Sequence, residues 1–476
     1  MKIDKLGQIS SAKQEPDIPR VKAKDEKKKG EEVKASRETI TLSSSAARDL
    51  KKTKKTKKSG KPETSKPKVP EKKKWTVMIY FAADNDLEPY EVKNLLDLEK
   101  VGSSKDVNII AQIDRGSTPT PRYGGNPDVT RYYVLKDKLV NEKIDSRELS
   151  HLGKMNSSDP EVLKDFLVWG MKNYPAENYL IILNDHGAGF AGALQDVEHK
   201  GFMSLPDMKK AFKEAEKEAG VSKDNIILGF DACLMGQAEV AYELRNVANI
   251  MIASEEAIGG TGWPYAGILS GNKFDKIKNT YTGQEALRKM AEHIIDETEK
   301  TQYATFTMSA VDLSKMTKIK HAIDDLGKAL LRTNEPIRRM RRVIQLAQHY
   351  TAGFEEKPYS SMRDIYDIAD RINRSTVISD KKLKSAAKEV MKAIEEAIIK
   401  EQHKKEDVGN SHGLSIYAPV HSGGYDNFKY HELDLAKDTS WDEAMIRFTG
   451  KPTKPKPGAE WTFSPPKGKG RMGRLK

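Results

Sequence analysis

Three short runs constrain the fold more than anything else in this chain. Residues 75–83 (WTVMIYFAA), 179–183 (YLIIL) and 226–230 (IILGF) are almost wholly apolar instead of alternating apolar with polar. A strand apolar on both sides must be covered on both faces, which is the habit of parallel sheets. Between the runs lie helical patterns. Residues 160–172 have helical spacing, with Ser158 and Asp159 as cap candidates and Pro160 in the first turn. Residues 205–219 are amphipathic and stop at Gly220. Further strands are expected at 108–114, 129–135 (more polar, so at an edge), 249–253 and 413–419, and a helix at 239–247. Helical patterns then dominate at 282–300, 313–332, 335–350, 362–373 and 381–402. Alternating strands and helices of this kind predict an α/β fold with a mostly parallel sheet between helical layers. No internal repeat is visible.

The charge is divided by position. The chain has 476 residues and a net charge of +12. Residues 1–74 carry 24 Lys and Arg against 11 Asp and Glu, and residues 451–476 carry 8 against one. The body between them is therefore acidic, with 50 basic and 58 acidic groups. The expected organisation is a disordered Lys-rich arm (1–74), an α/β core (75–275), a helical continuation whose late strand completes that domain (276–450), and a disordered basic Pro/Gly/Lys tail (451–476). The arm includes Lys51-Lys52-Thr53-Lys54-Lys55-Thr56-Lys57-Lys58, and neither end has the apolar periodicity to offset its ordering entropy. Basic arms can bind acidic surfaces or nucleic acid. The first 74 residues have no aromatic side chain for base stacking, which argues against nucleic acid as the partner. Residues 37–45 could be a short partner-binding segment. No apolar run is long enough to span a membrane. The first twenty residues read as no secretory signal, so the expected location is cytoplasmic. One cysteine, Cys233, excludes an intrachain disulfide and any zinc site built on two cysteines.

In open α/β sheets, sites gather at the carboxyl ends of strands. Two such ends carry reactive residues. Asn184-Asp185-His186-Gly187-Ala188-Gly189 follows the second apolar run, and Asp231-Ala232-Cys233-Leu234-Met235-Gly236 follows the third. If the strands are parallel neighbours, His186 and Cys233 share one sheet edge. The helix after Cys233 could favour a thiolate through its dipole, and a histidine within reach could act as acid and base. Gly187 and Gly189 would let backbone N–H groups approach an oxyanion. Against this, a lone cysteine at a strand end is commonly a small buried residue, and a lone histidine is commonly structural. Asp231 could equally cap a helix. His412 precedes its strand and should lie at the wrong end of the sheet. Asp84, Asp86 and Glu88 could hold calcium, but they lack the spacing of a calcium loop, and helix capping is the simpler reading. Asp231 as a phosphotransferase nucleophile would need metal carboxylates that Ala232 and Cys233 do not supply.

The two blocks resemble the signatures of the clostripain family of cysteine endopeptidases. The segments 75–88, 253–256, 262–265, 413–419 and 439–443 are similar to other family blocks, so the resemblance covers about 75–450. It implies a caspase-like three-layer α/β/α sandwich with helical C-terminal additions, related to gingipain, legumain and separase. It implies that Cys233 attacks the scissile carbonyl and that His186 protonates the leaving amine, generally without a third orienting residue. The oxyanion donors would be the N–H groups of Gly187 and Cys233. Substrates would be peptides or proteins with Arg or Lys before the cut, recognised by Asp231, with Glu255, Glu256 and Trp263 as pocket-wall candidates. No cofactor is required, and calcium is the one metal that relatives raise. Processing between His186 and Cys233 is expected at Lys200–Gly201, in a polar loop; Lys209 and Lys210 lie on a helix. Relatives are often exported, which keeps secretion or a surface location by an unusual route as the alternative to the cytoplasm. The competing functional class is an inactive caspase-like scaffold whose basic tails bind an acidic partner or nucleic acid. Natural substrates and oligomeric state are not legible.

Overall fold

The computed structural model describes residues 71–137, 139, 141–301, 305–350, 361–404, 406–420 and 430–449. The Lys-rich run, the 37–45 segment and the C-terminal basic tail lie outside the described residues.

Strands in chain order are β1 (Lys73–Phe81), β2 (Val107–Asp114), β3 (Val129–Tyr133), β4 (Arg147–Gly153), β5 (Ala176–Asn184), β6 (Ala193–Asp196), β7 (Gly201–Met203), β8 (Ile226–Asp231), β9 (Ile250–Ala253), β10 (Phe306–Asp312), β11 (His349–Tyr350), β12 (Met362–Asp364), β13 (Ile398–Lys404) and β14 (Ser415–Tyr417). Nine of them form one sheet in the order β13-β10-β9-β8-β5-β1-β2-β3-β4. The five central strands, β2-β1-β5-β8-β9, are parallel, and the outer pairs on each side are antiparallel.

The all-apolar strands are explained by two cores. Met78, Tyr80, Ile181, Leu183, Leu228 and Phe230 face one core with the helices Pro160–Asn173, Leu205–Ala219, Met316–Arg332 and Lys381–Ala397. Their neighbours Val77, Ile79, Phe81, Leu180, Ile182 and Ile227 face the other, with the helices Glu88–Glu99 and Gly283–Thr301. Alternate residues of a strand point to opposite faces, so each strand serves both layers. This is an α/β/α sandwich. Local signals set the helices between them: Asp159 accepts from Glu161 N, Ser204 from Asp207 N, and Gly220 closes its helix in a left-handed conformation.

Several expectations are corrected. β3 is not at the edge, because the polar strand β4 lies outside it. β10 was not anticipated, and the helix expected over 381–402 ends at Ala397, where the chain turns into β13 and pairs antiparallel with β10. The helix expected over 335–350 is Ile337–Gln345, and residues 362–364 are strand β12, beside β11 and β14 in a small sheet. Among the described residues, no helix is long and apolar enough to cross a membrane.

Candidate active site

β5 and β8 are adjacent and parallel, and their register pairs Asn184 with Asp231. His186 and Cys233 each lie two residues beyond that pair, so both loops leave the sheet together. The loops then touch. A β-carbon built on Gly187 would lie 3.1 Å from Cys233 N and 3.0 Å from Ala232 Cβ, and closer still to the Cys233 carbonyl oxygen. Gly187 also bridges to Ala193, the first residue of the β6–β7 hairpin. Flanking bonds carry that bridge: Leu194 N donates to His186 O (3.1 Å) and Ala188 N to Gly192 O (2.9 Å). In this antiparallel pattern the central residue turns its own N–H away from the hairpin.

The thiol of Cys233 is packed under the loop after β9. Ile258 N donates to Sγ at 3.4 Å, and Ile258 O lies 3.8 Å away. Burial pushes the thiol up to about 11, and the charges of Glu256, Asp231 and Asp185 act in the same direction, against the Ile258 N–H. A dipole-favoured thiolate is therefore not the resting state. The following helix, Ala238–Glu243, starts five residues after the cysteine and is only six residues long.

His186 has a partner the sequence did not assign to it. Its Nε2 lies 2.8 Å from Asp86 Oδ1. Burial alone would lower the imidazole, but the Asp86 hydrogen bond and the charges of Asp185 and Asp86 outweigh it and hold it above its ordinary value. Asp86 is held low, first by that same hydrogen bond. Capping was the wrong reading of this stretch. The helix begins after Leu87 with no side-chain cap; Asp86 reaches His186, and Asp84 accepts from Glu198 N at 3.0 Å.

Asp231 is buried and caps no helix. Its Oδ2 accepts from Asn184 Nδ2 (2.8 Å), Tyr265 OH (2.8 Å) and Trp263 N (2.9 Å). Burial raises it to about 6, with the Trp263 N–H and Tyr265 hydroxyl pulling the other way. Gly262 presses against it: a β-carbon there would meet Asp231 Oδ2 at 2.6 Å and Asn94 Nδ2 at 2.7 Å. Glu91, missed from sequence, lies in the same acidic zone. It is 1% exposed, its carboxyl oxygens have no hydrogen-bond partner among the described residues, and burial with Asp185, Asp231, Asp114 and Glu88 raises it well above the carboxylate range.

The pocket-wall candidates divide. Glu256 stays beside the thiol: its carbonyl accepts from Leu234 N (3.2 Å), and its charge acts on Cys233. Trp263 contributes its backbone N–H to Asp231, while its indole packs into the core over Gly229. Glu255 is corrected. Its Oε2 accepts from Gly413 N (3.1 Å), and it sits with Asp364 and Glu401 beneath the small sheet. His412 belongs there too, 3.2 Å from Asp364 Oδ1 and stacked on Tyr366.

Lys200 lies in the β6–β7 turn with φ of 54°, and residues 197–200 are exposed, as expected of a cleavable loop. Lys209 is engaged by Glu243 and Asp434, and Lys210 by Glu161. The calcium set does not assemble. Asp86 holds His186, and Glu88 takes Arg115 (2.7 Å) and the Thr120 hydroxyl (2.5 Å). Asp84 instead groups with Asp196 and His199, within 4.8 Å of one another. That group offers an imidazole and two carboxylates, a different set from the one the sequence suggested for calcium.

A family model described as the clostripain family matches residues 79–447. Clostripain of Hathewaya histolytica is 29% identical over 416 residues, covering 75% of this chain and 76% of that protein. The solved inactive zymogen of a C11 protease from Parabacteroides distasonis superposes with a TM-score of 0.56 at 20% identity, over 78% of this chain and 99% of its own. A secreted C11 cysteine protease from Bacteroides thetaiotaomicron, iotapain, gives 0.57 at 15% identity, over 78% and 100%. These two likenesses agree with the α/β/α sandwich. With the match spanning most of the sheet and both reactive loops, the chain belongs to the clostripain family of cysteine-type endopeptidases.

Proposed function

We propose that this endopeptidase cleaves after Arg or Lys with a Cys233/His186 dyad. The observation that carries the reading is the shared exit of β5 and β8, with two reactive loops in contact above the buried Asp231. His186 takes the thiol proton as Sγ attacks the scissile carbonyl. The oxyanion is held by the N–H groups of Gly187 and Cys233. The imidazolium then gives its proton to the leaving amine, and a thioester remains on Sγ. Water, deprotonated by His186, hydrolyses it and restores the thiol. No cofactor enters these steps.

Substrate charge has a second role in this scheme. Burial, and behind it the negative charges of Glu256, Asp231 and Asp185, hold the thiol protonated. A guanidinium or ammonium delivered to Asp231 offsets that field and favours the thiolate, so the correct substrate assists its own attack. The same reaction would cut the chain itself at Lys200–Gly201, once the turn opens to an extended conformation.

The test is hydrolysis of short fluorogenic peptides ending in Arg, Lys or Asp, with Cys233→Ala as control and with or without a calcium chelator. Arg and Lys cleavage that disappears in the variant and survives chelation is the expected result. Cleavage after Asp would overturn the role of Asp231, and activity retained by Cys233→Ala would overturn the dyad.

A further inference from the structure

We infer that Asp86 is a positioning residue for His186, which makes the working unit a triad contributed by the ends of β1, β5 and β8. This deepens the dyad reading and rests on it.

The arrangement is built, not incidental. Two consecutive residues after β1 bond two consecutive residues after β5. Asn85 Nδ2 donates to Asp185 Oδ1 (2.8 Å), and Asp86 Oδ1 takes His186 Nε2 (2.8 Å). Asn85 also fixes its own loop, donating to Ala82 O (2.8 Å) and to Gln195 O (3.1 Å) and accepting from Leu87 N (2.8 Å). Asp185 is held in turn by Gln195 N. Asp86 is therefore presented to the imidazole by a staple joining the β1 loop, the β5 loop and the β6 hairpin strand.

The chemistry follows from which nitrogen is taken. A carboxylate on Nε2 requires a proton there, so a proton taken from the thiol has to be received at Nδ1. It also stabilises the imidazolium formed when the thiol gives up its proton. The charged groups acting on this ring are Asp86 and Asp185, with the Cys233 thiol on the neighbouring loop. The Asp86 side chain is 67% exposed, so its replacement opens no cavity and buries no orphaned charge. Solvent screening limits its strength, which sets the size of the expected effect well below the ~10⁴-fold of a buried orienting carboxylate.

The experiment compares full-length Asp86→Ala, Asp86→Asn and Asp86→Glu with wild type. For Asp86→Ala, kcat should fall about 10-fold with KM changed less than about twofold. The acid limb of kcat/KM, which follows protonation of the base, should move to lower pH by a few tenths to about one unit. Asp86→Glu should restore most of kcat. Separately, the NMR titration of His186 is followed in Cys233→Ala protein, with and without Asp86→Asn. A lower midpoint on Asp86→Asn supports the pairing even if the dyad reading fails. An unchanged midpoint, or an Asp86→Ala enzyme with wild-type kcat, overturns the proposal.

Discussion

Gly187 and Cys233 pack backbone to backbone, with no room for a side chain between them. The backbone of the histidine loop therefore lies against the nucleophile. If the two N–H groups together receive the oxyanion, Gly187→Ala should impair both the reaction and the fold: Ala keeps the N–H, but its methyl group meets the Cys233 carbonyl oxygen, so the loops must part and the donor is displaced. Loss of one preorganised donor costs about 10²–10³-fold in kcat. We expect a kcat loss of that order in the folded enzyme, together with a clearly lowered melting temperature. Steady-state kinetics beside thermal melting checks this, and a folded Gly187→Ala enzyme with wild-type kcat would remove Gly187 from the oxyanion site.

If Asp231 receives the residue before the cut, substrate preference should depend on pH. Its carboxyl, raised to about 6, loses its charge as pH falls through that value. A cationic residue before the cut then loses its partner, while a neutral one is unaffected. The ratio of kcat/KM for Arg over norleucine peptides should be high and flat above pH 7 and should decline below about pH 6. Asp231→Asn should give a low ratio at every pH. Because the carboxylate anchors Asn184, Tyr265 and the Trp263 amide, circular dichroism must accompany the kinetics.

The sequence carried the centre of this molecule and lost its margins. The parallel strands were legible because each buries two faces and so carries an apolar run. β13 was not, since its residues are half-buried at a sheet edge and the preceding helical spacing runs straight into it. Only its antiparallel partner β10 decides between the two states. The site divides in the same way. His186 and Cys233 follow from strand ends, a local signal. Asp86 does not, because capping and a bond to a residue 100 positions away draw on the same short acidic side chain. Glu255 and Glu256 were indistinguishable as letters, yet the chain beyond β9 sends one beneath the small sheet and keeps the other beside the thiol.

Processing should be self-inflicted and local. Lys200 is exposed, but a residue at φ of 54° is not extended as a protease requires of its substrate. The hairpin must open first, and Asp196 helps to keep it shut by accepting from His199 N at 2.8 Å. Purified wild-type chain should convert on incubation to two fragments divided after Lys200. Lys200→Ala and Cys233→Ala should not be cut after residue 200, though active Lys200→Ala protein should still trim its Lys-rich ends, and Asp196→Ala should be cut at residue 200 faster. Intact mass spectrometry reads all three, and cleavage at 200 in pure Cys233→Ala protein would assign the cut to another protease.

A buried carboxylate on the helix after Cys233 contributes to how stability depends on pH. Glu239 accepts from Tyr417 N (2.9 Å) and Tyr430 OH (2.7 Å), while its Oε2 has no partner among the described residues. Burial raises it to about 7 against those two donors. A folded-state value above the unfolded one means that the folded chain binds more protons between roughly pH 4.5 and 7, so this group's contribution to stability declines as pH rises through that window. Each unit of difference is worth about 1.4 kcal/mol. Glu239→Gln keeps the acceptor for both donors and removes the titration. The variant should match wild type near pH 5 and melt several degrees higher at pH 8, as read by thermal unfolding across that range. Equal pH slopes in the two proteins would mean that Glu239 keeps its ordinary proton affinity in the fold.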